Sequence, residues 1–149
     1  MIEPQWAALF GPDCMICGKE NAGFTDYDLR LRGCGQCLQM SCVPYDDTWM
    51  RCVPKLRSCM MEIMYLRMVP RSRPTEKRNA WAPSISIPLY YAPPMEEVVR
   101  ECFDLREKIK AGIPNAVVEF DAYVSKRRAI VRGIVEHADL CYDLEAKLT

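Results

Sequence analysis

Cys14-Met15-Ile16-Cys17-Gly18, followed by Leu29-Arg30-Leu31-Arg32-Gly33-Cys34-Gly35-Gln36-Cys37, is the stretch on which the reading of this chain turns. Its spacing is Cys-x2-Cys-x16-Cys-x2-Cys. Two cysteines three apart on a tight turn can aim both sulfurs at one ion, and a second such turn completes a tetrahedron of thiolates. Cys14, Cys17, Cys34 and Cys37 are therefore the expected ligands of one structural zinc ion. Four thiolates close the coordination sphere, so no open position is left for catalysis. Gly18, Gly33 and Gly35 give the turns the backbone freedom that close approach to a metal needs. Backbone amides directed at the sulfurs are expected to support the ligands. Cys42, five residues past Cys37, is an alternative ligand. The other reading of the four cysteines is buried or redox thiols without metal. Two redox CxxC motifs fit less well, because neither lies in a βαβ pattern.

Outward from the knuckles, Tyr27, Leu29 and Leu31 alternate with Asp28, Arg30 and Arg32, which predicts a half-buried strand leading to Cys34. Trp6, Leu9 and Phe10 predict a helical turn or two that Gly11-Pro12 ends. The segment from Pro44 to Pro54 reads as a linker. Over 55–69, Leu56, Cys59, Met60, Ile63 and Leu66 or Arg67 fall at helical spacing and predict a short helix ended by Pro70. Prolines at 70, 74, 83, 88, 93 and 94 make 70–94 a loop, with an edge-strand piece at Ser84-Ile85-Ser86-Ile87.

Met95, Val98, Cys102, Leu105 and Ile109 follow a three-four spacing. Pro94 suits a first helical position, and Glu96 and Glu97 are placed in the first turn. Lys108 and Lys110 fall in the last turn, and Gly112 is the expected terminator. Val117, Phe120, Val124, Val131, Ile134, Ala138, Cys141 and Leu148 repeat the spacing. Two helices joined by so short a break predict an antiparallel helical hairpin. Glu96–Arg100, Asp104–Lys108 and Arg132–Glu136 are candidate pairs one turn apart. The expected fold class is α+β, mainly α. Its parts are a zinc-bound hairpin module over 1–43, a linker, short helix and Pro-rich loop over 44–94, and the helical hairpin over 95–149.

Composition bounds the function classes. The chain has 149 residues, 50% of them hydrophobic, enough for a modest core. Twenty basic residues balance twenty acidic ones, which gives no reason to expect nucleic acid or an anionic membrane as the main partner. The charge is uneven: 51–80 holds eight basic residues against two acidic ones. Nine cysteines, an odd number, together with a start lacking a signal-peptide pattern, favour a reducing intracellular compartment, cytoplasm or nucleus. No segment has the apolar length of a membrane span.

Three weaker signals remain. His137 and Cys141, four apart, can hold a metal, but packing of Cys141 in the apolar stripe is the stronger reading. Arg67, Arg71, Arg73, Lys77 and Arg78, with Trp81 nearby as a stacking platform, form the basis of an alternative function as a zinc-dependent nucleic-acid-binding protein. A solvated loop is favoured over it, because no matching basic face accompanies the run. Met60, Met61, Met64 and Met68 read as adaptable core. Catalytic motifs are lacking: one histidine, no P-loop, no Gly-x-Gly-x-x-Gly and no nucleophile–base pattern, so the expectation is no enzyme.

The order of motifs also resembles a known family. Pro4-Gln5-Trp6-Ala7-Ala8-Leu9-Phe10, the two knuckles, Met68-Val69-Pro70, Leu89-Tyr90-Tyr91-Ala92-Pro93 and Glu136-His137-Ala138-Asp139-Leu140-Cys141 are similar to the region downstream of the F-box in fungal F-box-domain proteins. The resemblance spans nearly the whole chain. It implies zinc ligands at Cys14, Cys17, Cys34 and Cys37. It also implies a protein-interaction role, selecting substrates for a cullin–RING ubiquitin ligase. The chain starts past the place where such proteins carry the F-box. The expectation is therefore the recognition half, with docking on the ligase adaptor in doubt and a protein substrate as the partner.

Overall fold

A computed structural model describes residues 11–20, 23–44, 54–73 and 89–148. The expected pieces at 1–10, in the linker and at 84–87 lie outside the described residues. Strands β1 (Phe24–Asp26) and β2 (Leu31–Gly33) form an antiparallel hairpin, pairing Phe24 with Gly33 and Asp26 with Leu31. Helix α1 (Gly35–Ser41) runs directly into β3 (Cys42–Pro44). After a single 3₁₀ turn at Pro54–Leu56 come α2 (Arg57–Tyr65), β4 (Leu89–Tyr91), α3 (Ala92–Lys110) and α4 (Ala116–Leu148). Strand β3 pairs antiparallel with β4, Cys42 opposite Tyr91. The chain is α+β and mainly α, as its patterning predicts.

The strand expected through Tyr27, Leu29 and Leu31 is instead broken by a four-residue turn. Asp26 is the reason. Its Oδ1 accepts the Leu29 N–H at 3.0 Å, an Asx-type bond that competes with extension. Arg30 then takes a left-handed φ of 52°. Leu29 and Leu31 are still both buried, brought together by the turn rather than by strand alternation.

Helix α2 stops at Tyr65, before Pro70. Met68 N donates to Ile63 O at 3.0 Å and Arg67 N to Met64 O at 3.3 Å, the paired bonds of a Schellman cap. The left-handed position of that cap, φ 55°, is held by Arg67, where glycine is the usual occupant. A side chain there costs about 1 kcal/mol. The cap of α3 has the expected residue: Gly112 at φ 71°, with Ile113 N donating to Lys108 O. Helix α3 begins at Ala92 with its prolines inside the first turn, so Glu96 and Glu97 lie beyond that turn, while Lys108 and Lys110 occupy the last. The candidate pairs one turn apart are not formed; Lys108 reaches Glu119 across the hairpin at 4.0 Å instead.

Two apolar clusters organise the described residues. Cys59, Met60, Ile63, Met68, Val98 and Cys102 form the larger, between α2, α3 and α4. Met60, Ile63, Met68 and Met95 are fully buried, each worth roughly 1.5–3 kcal/mol. Met61, by contrast, faces solvent. The smaller cluster joins Leu29, Leu31, Leu38, Cys42 and Leu89. Strand β4 serves both. Successive side chains on a strand point to opposite faces, so Leu89 and Tyr91 enter the smaller cluster and Tyr90 the larger. Ser72 extends this strand's bonding: its N–H donates to Leu89 O and its Oγ accepts the Leu89 N–H.

Helices α3 and α4 form the expected hairpin, but unequally. Nineteen residues face thirty-three, and at 1.5 Å per residue α4 is about 50 Å long. Only Ala116, Val131, Ile134 and Ala138 of α4 are buried; Val117 and Leu148 of the expected stripe are exposed. The overhang of α4 docks on the N-terminal module. Tyr142 stacks edge-on against Tyr27, ring centroids 5.0 Å apart, and its hydroxyl accepts the Tyr27 N–H. Arg73 completes the joint. Its Nε and Nη2 grip both carboxylate oxygens of Asp28 at 2.7 and 2.8 Å, its Nη1 bonds Asp139 at 2.6 Å, and its guanidinium lies 4.9 Å over the Tyr142 ring.

Asp28 is only 3% exposed. Removing its bidentate partner would leave a buried, uncompensated carboxylate, a loss of about 3 kcal/mol by analogy with other broken buried pairs. Arg73→Met is expected to lower the free energy of urea unfolding by that amount, whereas Lys110→Met, at an exposed pair, is expected to change it by less than about 0.5 kcal/mol.

Candidate metal centre

The first knuckle is a turn tied at its base: Cys14 N donates to Lys19 O at 2.9 Å and Gly18 N to Cys14 O at 3.0 Å. Gly18 takes a φ of 78°, which a side chain would resist. Inside the turn the N–H groups of Ile16 and Cys17 both point at Cys14 Sγ at 3.4 Å. These are the amide-to-sulfur bonds expected around a thiolate ligand. Met15 N donates to Arg32 O at 2.9 Å, which lays the knuckle alongside β2.

The second knuckle is the junction of β2 with α1. Gly33 ends the strand, Cys34 is the N-cap of α1, and Cys37 sits in its first turn. Leu38 N donates to Cys34 O at 3.0 Å, and the fully buried Leu38 side chain anchors the helix in the smaller cluster. A Cβ on Gly33 would lie 3.0 Å from Leu38 Cδ2 and 3.7 Å from Cys14 Sγ. The glycine is thus demanded by close approach.

The four sulfurs of Cys14, Cys17, Cys34 and Cys37 lie within 4.8 Å of one another. Cys17 Sγ and Cys34 Sγ are 3.9 Å apart. A tetrahedral ion with metal–sulfur bonds of about 2.3 Å needs sulfurs about 3.8 Å apart. The cluster therefore fits a metal ion with small adjustment. Cys14 is buried while Cys17 is exposed, so the site lies at the surface with one ligand rooted inside.

The thiols ionise unequally. Burial opposes ionisation of Cys14, but N–H groups from Cys17, Cys34 and Ile16 outweigh it and bring the thiol down to about 6. Cys34 is lowered too, chiefly by the Cys37 N–H. Cys37, sharing its proton with Cys34 and Cys17, is pushed up to about 12. Four sulfurs this close cannot all be anions unless a cation sits among them.

The other candidates fall elsewhere. Cys42 is buried in the smaller apolar cluster, and burial raises its thiol to about 12; it is not one of the four gathered sulfurs. Cys141 Sγ is 3.5 Å from His137 Nδ1, one helical turn apart. Among the described residues no third ligand joins that pair. Cys141 is partly rather than fully buried. Arg73 of the basic run is taken up by Asp28 and Asp139, Arg67 and Arg71 are exposed, and Lys77, Arg78 and Trp81 lie outside the described residues. What sequence reasoning missed is the Asp28–Arg73–Asp139 joint between the β1–β2 turn and α4, because its members are 45 and 66 residues apart. No helix among the described residues is long and apolar enough to cross a membrane.

A scan against protein-family models, a search of curated proteins and a search of solved structures each found no match to this chain.

Gly33→Ala is expected to weaken metal retention and cost about 1–3 kcal/mol, since the buried Leu38 has little room to give; competition with a chromogenic chelator and thermal melts check both. Protons should also compete with the metal. A thiol lowered in the folded state stabilises the fold fully above its ordinary value near 9, and that contribution disappears as pH falls through about 6. Metal release is accordingly expected at or below about pH 6, read by the same chelator across a pH series.

Proposed function

We propose that this chain is a non-catalytic protein-interaction module whose N-terminal part is held by one structural zinc ion. The observation that carries the reading is the gathering of four cysteine sulfurs within 4.8 Å. An all-thiolate tetrahedral set suits zinc, and with every position supplied by the protein the ion has no site for water or substrate. Cys14, Cys17, Cys34 and Cys37 would hold it, and the ion would fix the β1–β2 hairpin against α1. The finer reading is the recognition part of an F-box-type ubiquitin-ligase component, and the order of motifs along the chain supports it. Leu140, Leu144 and Leu148, one turn apart and 60–80% exposed, offer a further apolar stripe suited to a protein partner. The nucleic-acid alternative has to manage without Arg73, whose charge is spent on Asp28 and Asp139.

Elemental analysis of the purified chain, with far-UV circular dichroism before and after chelation, tests the reading. One zinc per chain and loss of ordered structure on its removal are expected. A well-folded, reduced protein without zinc would overturn it. Partner binding that persists in added salt fits a mostly apolar protein interface, whereas a steep salt-dependent loss would point to nucleic acid.

A further inference from the structure

Six of the described arginines outside the metal centre contrast with one another, while Arg100 stands apart, exposed on α3 and away from the groove that four of the six line. Arg73 and Arg106 have carboxylate partners. Arg67, Arg71, Arg128 and Arg132 have none among the described residues, and all four are exposed. These four converge on one groove. Arg67, Arg128 and Arg132 line a space of about 200 Å³ floored by Val131 and Val135. Arg71 lines its continuation, which shares Arg67 and both valines. On α4 the positions 128, 131, 132 and 135 fall at three-four spacing, so cations and apolar floor share one helix face. A separate contact fixes that face against the α2 cap: Arg127 Nε donates to Met68 O at 3.1 Å.

Among the described residues, no carboxylate forms an ion pair with these four arginines. Asp28 lines the continuation beside Arg67 and Arg71, and its carboxylate is gripped by Arg73. Glu136 is one turn past Arg132 yet makes no ion pair with it. The backbone adds a second, independent observation. Arg67 occupies the left-handed cap position that glycine takes at no cost, and its side chain lines this groove. Strain kept at an arginine, at the point where three other unpaired arginines meet, points to a ligand that uses it.

The geometry points to a binding site for a dianionic group, namely the phosphorylated side chain of a protein segment. Guanidinium forks donate paired N–H bonds to phosphate oxygens, and clustered arginines over an apolar floor are how phosphorylated segments are read. Among the described residues these arginines form one short groove, on a chain of zero net charge, which suits a single anionic group better than the extended track of a nucleic acid. This assignment rests on reading the chain as a protein-interaction module and gives the class of its partner.

The test uses the full chain with its metal, in fluorescence polarisation. Its probes are a labelled degenerate peptide pool with a fixed phosphothreonine, the same pool unphosphorylated, and a labelled single-stranded oligonucleotide, with inorganic phosphate as competitor. The phosphorylated pool should bind about tenfold or more tighter than its counterpart, the worth of a charged hydrogen-bond set. Arg67→Gly should abolish most of that preference while leaving the melting temperature unchanged or raised, since glycine suits the cap. Arg128→Gln with Arg132→Gln should do the same to binding. Equal or no binding of the two pools, wild-type binding by the variants, or a phosphorylated pool held no tighter than inorganic phosphate would each overturn the groove assignment alone. An oligonucleotide bound more tightly than either pool would overturn both it and the interaction-module reading.

Discussion

Mutual repulsion among four crowded thiolates is the constraint on which the N-terminal part of this protein depends. The sulfurs of Cys14, Cys17, Cys34 and Cys37 sit close enough to share one ion. The backbone favours charge on Cys14 and Cys34, while Cys37 holds its proton. A cation removes that conflict and converts it into attraction. The surrounding elements are short: strands of three residues and a helix of seven. Elements of that length do not hold themselves together in water. Among the described residues the smaller apolar cluster contributes five buried side chains. A metal ion is therefore well matched to what this module lacks.

The module is not isolated from the helices. Strand β4 carries Leu89 and Tyr91 into one cluster and Tyr90 into the other, so the two cores share a wall. A second link is Arg73, which binds Asp28 of the β1–β2 turn and Asp139 of α4 together, beneath the Tyr142 ring. A carboxylate as buried as Asp28 is tolerated only with a partner of this quality. The same contact withdraws Arg73 from the basic segment to which it belongs in sequence. Arg67 and Arg71 are left to face α4, where Arg128 and Arg132 join them.

Patterning at short range was legible because its physics is short-range. The CxxC spacing fixes which sulfurs can share an ion. The three-four spacing of Met95, Val98, Cys102 and Leu105 fixes the buried face of α3, and Gly112 marks its end. Where a side chain intervened in the backbone's own bonding, pattern misled. Asp26 capped a turn inside what alternation reads as a strand. A Schellman cap at Arg67 ended α2 before the proline that could have ended it. The length of α4 was readable, but the exposure of Val117 and Leu148 was not, because burial requires a neighbour and α3 is far shorter than α4.

By itself, then, the sequence determined the mainly helical α+β class, the helical hairpin and the four cysteines able to meet, since each follows from residues close along the chain or from the chemistry of thiols. Only the tertiary structure decided that Cys42 belongs to the core, that α4 reaches back to the metal module, and that four arginines from two distant segments line one groove. Those outcomes depend on which surfaces pack together over separations of some 45 to 115 residues, and no local spacing carries that information.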